Sequence, residues 1–165
     1  MGDRQKQVLA SIERAFRGVE LGDGVSLHEA KVVDNYGTVE ERLAARKADE
    51  KHDWRKLIDD PELVQSCRLG SSAFSFFDAV GLKFHLPACL SKAVKSPEDE
   101  DVQEMLQSLM FVLIHLDAFQ RERLAGLDTA QRLCVRDALA YLRGVLGPDK
   151  VLDRAISGYW SAGVA

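Results

Sequence analysis

Helix starts punctuate this chain at short intervals, and nothing between them alternates as a strand would. Ser26-Leu-His-Glu29 and Thr38-Val-Glu-Glu41 read as capping boxes, a hydroxyl at the N-cap and a Glu three residues on. Asp60-Pro61, Ser96-Pro97 and Gly147-Pro148 each offer Pro as a first helical residue, where its missing N–H costs nothing. Asp128-Thr-Ala-Gln131 is a further start, with Gln at the third helical position. With an N-terminal segment these mark seven helices. An eighth, short one is expected over Leu86–Val94, with Pro87 held in its first turn.

The apolar residues keep helical time. Val8, Ile12, Ala15, Phe16 and Val19 follow one face of the first helix. Leu106, Leu109, Met110, Leu113, Ile114 and Leu116 form a broad surface on the span Val102–Leu116. Leu133, Ala138, Leu139, Tyr141 and Leu142 mark the next helix, and Val151, Leu152, Ala155, Ile156, Tyr159 and Trp160 the last. Four of the seven phenylalanines, Phe74, Phe76, Phe77 and Phe84, crowd ahead of Leu86 and make that region the hydrophobic centre. The expectation is an all-α chain, one domain over residues 1–165, folded as a compact orthogonal bundle of seven or eight helices with a central helix near 98–116.

One helix breaks the pattern. Thr38–His52 has only a thin apolar stripe, Val39, Leu43, Ala44, Ala45 and Ala48, among many charges. It reads either as a solvated helix docked through its alanines or as an arm that meets a partner.

Charge and composition narrow the function. Twenty-two basic against 26 acidic residues give a net charge of −4, and no basic run exceeds two residues, so nucleic acid is not an expected partner. No stretch reaches the roughly eighteen apolar residues of a membrane span, and the start lacks the apolar middle of a secretion signal. Cys67, Cys89 and Cys134 are odd in number and lie in apolar helical contexts, which fits buried thiols in a reducing cytoplasm.

Motifs for chemistry are scarce. There is no phosphate loop, no dinucleotide fingerprint and no nucleophile elbow. His28, His52-Asp53 and Asp117 are the one set whose residue types could serve a metal, as in a metal-dependent helical hydrolase. His85 and Cys89 stand one turn apart, the spacing of a thiol and its base, but the surrounding Phe84, Leu86 and Leu90 point to burial. His85 and His115 both read as core or near-core histidines. No cofactor is expected, and the chain reads more as a non-enzyme than as an enzyme.

Taken in order, Ser26-Leu-His-Glu-Ala30, Asp34-Asn-Tyr-Gly37, Asp53-Trp-Arg55, Phe74-Ser-Phe-Phe-Asp-Ala-Val-Gly-Leu-Lys-Phe-His-Leu-Pro-Ala88 and Tyr159-Trp160 resemble a family of small bacterial proteins known only as a domain of unknown function. The resemblance runs over about residues 4–160 and departs at His85 and Cys89, where the family pattern carries aromatics. It implies a cytoplasmic, all-helical protein and hands no residue a role. The function expected is a protein-binding module, an immunity or inhibitor protein of a toxin. Its contact residues are expected to be Asp34, Tyr36, Glu40, Glu41, Asp53, Trp54 and Arg55.

Overall fold

The computed structural model describes residues 2–71 and 73–162. Among them are ten α-helices and no strand: α1 (Asp3–Ala15), α2 (Leu27–Asp34), α3 (Val39–Ala48), α4 (Pro61–Cys67), α5 (Ala73–Phe76), α6 (Ala79–Lys95), α7 (Glu100–Ile114), α8 (Ala118–Leu124), α9 (Thr129–Leu146) and α10 (Lys150–Ser157). A single 3₁₀ turn spans Trp54–Leu57. The short helices α5 and α8 are the two that periodicity does not reveal, since one or two turns hold too few apolar residues to show a period.

Capping explains where the helices begin. Thr38 and Glu41 exchange hydrogen bonds of 2.7 and 3.2 Å, Asp128 and Gln131 of 3.1 and 2.8 Å, and Pro61 is the first residue of α4. The other two Pro signals misplace the start. Helix α7 begins behind Asp99, which takes the Val102 N–H at 3.1 Å, and α10 behind Asp149, which takes those of Val151 and Leu152. A carboxylate cap satisfies an otherwise orphaned donor, whereas Pro at the first position merely avoids having one, so the Asp wins.

The expected short helix at Leu86–Val94 is the second half of the longer α6, with Pro87 in its interior. Pro there removes the bond to the carbonyl four residues back, at a cost of about 3 kcal/mol. Every residue from Phe84 to Leu90 is buried, and that apolar burial offsets the loss. Twelve of the 17 residues of α6 are buried, and α1, α7, α8, α9 and the 3₁₀ turn pack around it. Helix α7 lies across it, burying Val102, Met105, Leu106, Leu109, Val112 and Leu113.

Two tryptophans fasten helix ends to this core. Trp54 donates its indole N–H to Phe16 O at the end of α1 (2.9 Å), and Trp160 donates to Leu113 O at the end of α7 (2.8 Å). Carbonyls in a last helical turn lack intrahelical partners, so the Trp160 indole supplies what the backbone omits at Leu113 O, while the Trp54 indole joins the Val19 N–H on Phe16 O. The start of α6 is fixed differently. Asp78 Oδ1 takes the N–H of Gly81 at 2.7 Å and of Val25 at 3.0 Å, drawing the loop before α2 against the first turn of α6, where Gly24 and Gly81 meet.

Candidate functional site

Helix α3 has no buried residue. It is held to the body by charge. Glu29 of α2, only 7% exposed, receives Arg42 at 2.9 Å and Arg46 at 3.3 Å, and its other contact is the Ser26 N–H at 3.1 Å. Burial alone would raise the Glu29 pKa; the Ser26 N–H and the two arginines together outweigh it and hold the pKa below the usual value. Arg46 also donates to the carbonyls of Gly22 and Gly24. The alanines expected to dock this helix contribute little: Ala44 and Ala48 are exposed and Ala45 is half-buried.

Because arginines hold α3, its apolar residues remain on the surface. Val39 is 64% exposed and Leu43, one turn on, 60% exposed. Tyr36 stands beside them in the α2–α3 loop, 97% exposed. Its backbone is unusual. The Gly37 N–H bonds to Val32 O and the Tyr36 N–H to Val33 O, the paired hydrogen bonds of a Schellman helix end. That end requires a left-handed residue after the C-cap, a place generally taken by Gly or Asn, and here it is Tyr36 at φ 55°. Among the described residues no other side-chain-bearing residue has a positive φ. Gly37 cannot take the role of the ring, since a Cβ there would lie 2.3 Å from Val32 Cγ1.

Of the seven contact residues expected from sequence, four share this edge. Asp34, Tyr36, Glu40 and Glu41 are all exposed between the end of α2 and the start of α3. Asp34 sits at the negative end of the α2 dipole, where a carboxylate is mildly unfavourable. Glu41 is engaged by the Thr38 N–H. The remaining three lie past the other end of α3. Trp54 is 3% exposed and bonded to Phe16 O, so it packs the core edge and offers no surface to a partner. Asp53 caps the 3₁₀ turn and grips Arg55 side-on at 2.8 and 2.9 Å. Val39 and Leu43 were legible only as a stripe, which by habit points inward.

The residues considered for a metal are each engaged separately. His28 is bracketed by carboxylates, Nδ1 at 2.5 Å from Asp49 and Nε2 at 3.1 Å from Glu62. His52 is exposed, 3.8 Å from Glu20. Asp53 holds Arg55, and Asp117 caps α8 through the Gln120 N–H at 2.8 Å. Among the described residues no group of three or more His, Cys, Asp or Glu side chains is placed to hold a metal.

His85 is fully buried, stacked on Phe77 at 4.2 Å, with Nδ1 2.7 Å from Gly81 O; burial lowers its pKa to about 4 and keeps it neutral. Cys89 is equally buried, and its neighbour Cys67 is pushed well above the usual thiol range by contact with Cys89 and by burial. Burial likewise pushes Cys134 up to about 12. All three thiols are shut away from the surface. His115, expected near the core, is exposed beside Phe111 because α7 ends one residue before it.

The model of a family of unknown function, DUF6714, matches residues 4–164. The chain belongs to that family. None of the curated proteins and none of the solved structures matches it. Membership in DUF6714 agrees with the resemblance read from the Ser26 and Phe74 blocks, and it brings no residue role with it.

The His28 bracket gives this DUF6714 chain a pH signature. Burial of the ring is the largest single influence and works against the charge, but the bonds to Asp49 and Glu62 and their charges together raise the pKa above 6.5. A raised pKa stabilises the fold fully below the unfolded value, and the contribution is lost as pH rises through the folded value. His28→Gln is therefore expected to be destabilising at about pH 6 and nearly neutral at about pH 9. Urea unfolding of both proteins at the two pH values measures this; an equal difference at both would refute the bracket.

Proposed function

We propose that this protein is a binding module that engages another protein through the edge made by Tyr36, Val39 and Leu43. The observation that supports it most is Tyr36, a fully exposed aromatic in a left-handed conformation that glycine would adopt at about 1–2 kcal/mol less cost. Strain of this kind persists where the surrounding structure enforces it, and it concentrates at functional positions. Three exposed apolar side chains over eight residues, one in the loop and two on successive turns of α3, are rimmed by Asp34 and Glu40 and have the make-up of a contact centre with a polar border. Tyrosine is favoured at such centres because it brings area at low entropy cost.

The acidic rim and the net charge of −4 favour a partner with a basic surface around an apolar pocket, and a toxin neutralised by an immunity protein is the partner class we favour. We place the protein in the bacterial cytoplasm, a setting supported by three free, buried cysteines and by the absence, among the described residues, of any helix long and apolar enough to cross a membrane.

Tyr36→Gly separates fold from function. It relieves the left-handed strain and is expected to stabilise the protein by about 1 kcal/mol while abolishing the contact. Leu43→Ser changes an exposed position and leaves stability within about 0.5 kcal/mol. Affinity purification from the source cells with wild type and both variants tests the proposal. A protein that co-purifies with wild type at low salt and is lost with either variant supports it; identical recoveries from all three overturn it.

A further inference from the structure

A second site lies on another part of the molecule, in a groove of about 580 Å³ between α5, α7 and α8. Leu69, Phe74, Phe111, Val112 and Phe119 give it most of its apolar surface, and serines and glutamines, Ser108 among them, stand between them. Its floor is a cation. Arg123 of α8 lines the groove, is only 6% exposed, and forms no ion pair with any described carboxylate. Removing a guanidinium from water without a counter-charge is expensive, so a buried arginine ordinarily has an anionic partner.

The five N–H groups of this guanidinium can be accounted for one by one. Nη1 donates to Phe74 O at 2.7 Å and to Phe77 O at 2.8 Å, and Nη2 donates to Gln120 Oε1 at 2.6 Å. These neutral acceptors fix the plane of the group without balancing its charge. Two N–H remain, one on Nη2 and one on Nε, and Nε is buried with no partner among the described residues. Nε and Nη2 form the edge of a guanidinium that takes a carboxylate side-on through two parallel hydrogen bonds. The nearest carboxylate, Asp117, also lines the groove, but its Oδ1 caps α8 and it does not close on the arginine. What covers the guanidinium instead is the Phe119 ring, its centre 4.7 Å from Cζ. Phe119 is itself 56% exposed, so it can turn away without opening the core.

We propose that this groove binds a small apolar monocarboxylate, its carboxylate on the free Nε/Nη2 edge of Arg123 and its hydrocarbon body along Phe74, Phe111 and Val112. The volume suits a small ligand, the walls suit an aromatic or aliphatic body, and a single buried cation selects a single negative charge. This site is independent of the α3 edge, since none of its lining residues belongs to α2 or α3.

Calorimetric titration of the full chain with phenylbutyrate and with phenylbutyramide, the same body without the charge, tests it. The acid is expected to bind about tenfold or more tightly than the amide, as a hydrogen-bonded charge pair implies. The Arg123 Nε–H resonance is expected to shift during the titration. Arg123→Met is expected to erase the preference for the acid. That variant strands the Phe74 and Phe77 carbonyls and could unfold, so Ser108→Phe, which narrows the groove without touching the arginine, is the second variant and is expected to lose binding of both compounds. Equal affinity for acid and amide, acid binding unchanged in Ser108→Phe, or binding with no movement of the Arg123 resonance each overturns the proposal, as does the absence of binding at millimolar acid.

Discussion

Replacing Trp160 by alanine is expected to lower stability by about 4 kcal/mol, the middle of the range for emptying a large buried aromatic site. The indole is fully buried where the end of the chain returns to α7, stands edge-on to Tyr159 at 5.0 Å, and has Arg132 over its ring at 5.7 Å. The substitution leaves a cavity and also strands Leu113 O, which no intrahelical N–H can reach. Trp160→Phe separates the two effects: most of the volume survives while the hydrogen bond is lost, so it should cost about 1–2 kcal/mol. In thermal unfolding the alanine variant should melt roughly 10 °C lower. An alanine variant within about 1 kcal/mol of wild type would mean that the last turn does not close the core.

A single methyl group at Gly81 is expected to cost about 3 kcal/mol, near the top of the usual range for overpacking. A Cβ there would sit 2.5 Å from Val25 O and 2.9 Å from Asp78 Oδ1, and one on Gly24 would meet Gly81 N at 2.5 Å. The obstacles are backbone atoms and a capping carboxylate, none of which can move without breaking the Asp78 bonds to Gly81 and Val25. The control is Gly144→Ala, also in a helix but with open space around the added methyl, where helix propensity should give about 1 kcal/mol of stabilisation. Chemical unfolding of the pair should therefore move in opposite directions. A Gly81→Ala protein as stable as wild type would show that the segment before α2 does not press on α6 as described.

Much of this was legible in the chain because it is local. The Thr38/Glu41 and Asp128/Gln131 boxes act within one turn, so the residues that make them sit side by side in the sequence. Pro87 was misread for a non-local reason: Pro tolerance inside α6 depends on burial by α1, α7, α8 and α9. The candidate surface shows the same division. Glu40 and Glu41 stand out in the sequence on the charge-dense helix Thr38–His52, and Asp34 and Tyr36 beside it. That Val39 and Leu43 join them on the surface depends on Arg42 and Arg46 reaching Glu29 on another helix, which no spacing along α3 encodes. Trp54 looked like an interface anchor and proved to be a core seal because its partner, Phe16 O, lies 38 residues away. Arg123 gave no signal at all, since its burial arises from the short helices α5 and α8.

Arginines tether α3 to Glu29, and the apolar edge this leaves exposed is the surface we propose for a partner. The most direct measurement places a photo-activatable cross-linker at position 36 of the full chain and, in a second protein, at position 151, an exposed apolar site on α10. On illumination in the source cells, position 36 is predicted to give one dominant adduct, weakened by added salt and by Leu43→Ser, and position 151 none of that mass. The same adducts from both positions, or a dominant adduct from 151 alone, would contradict it.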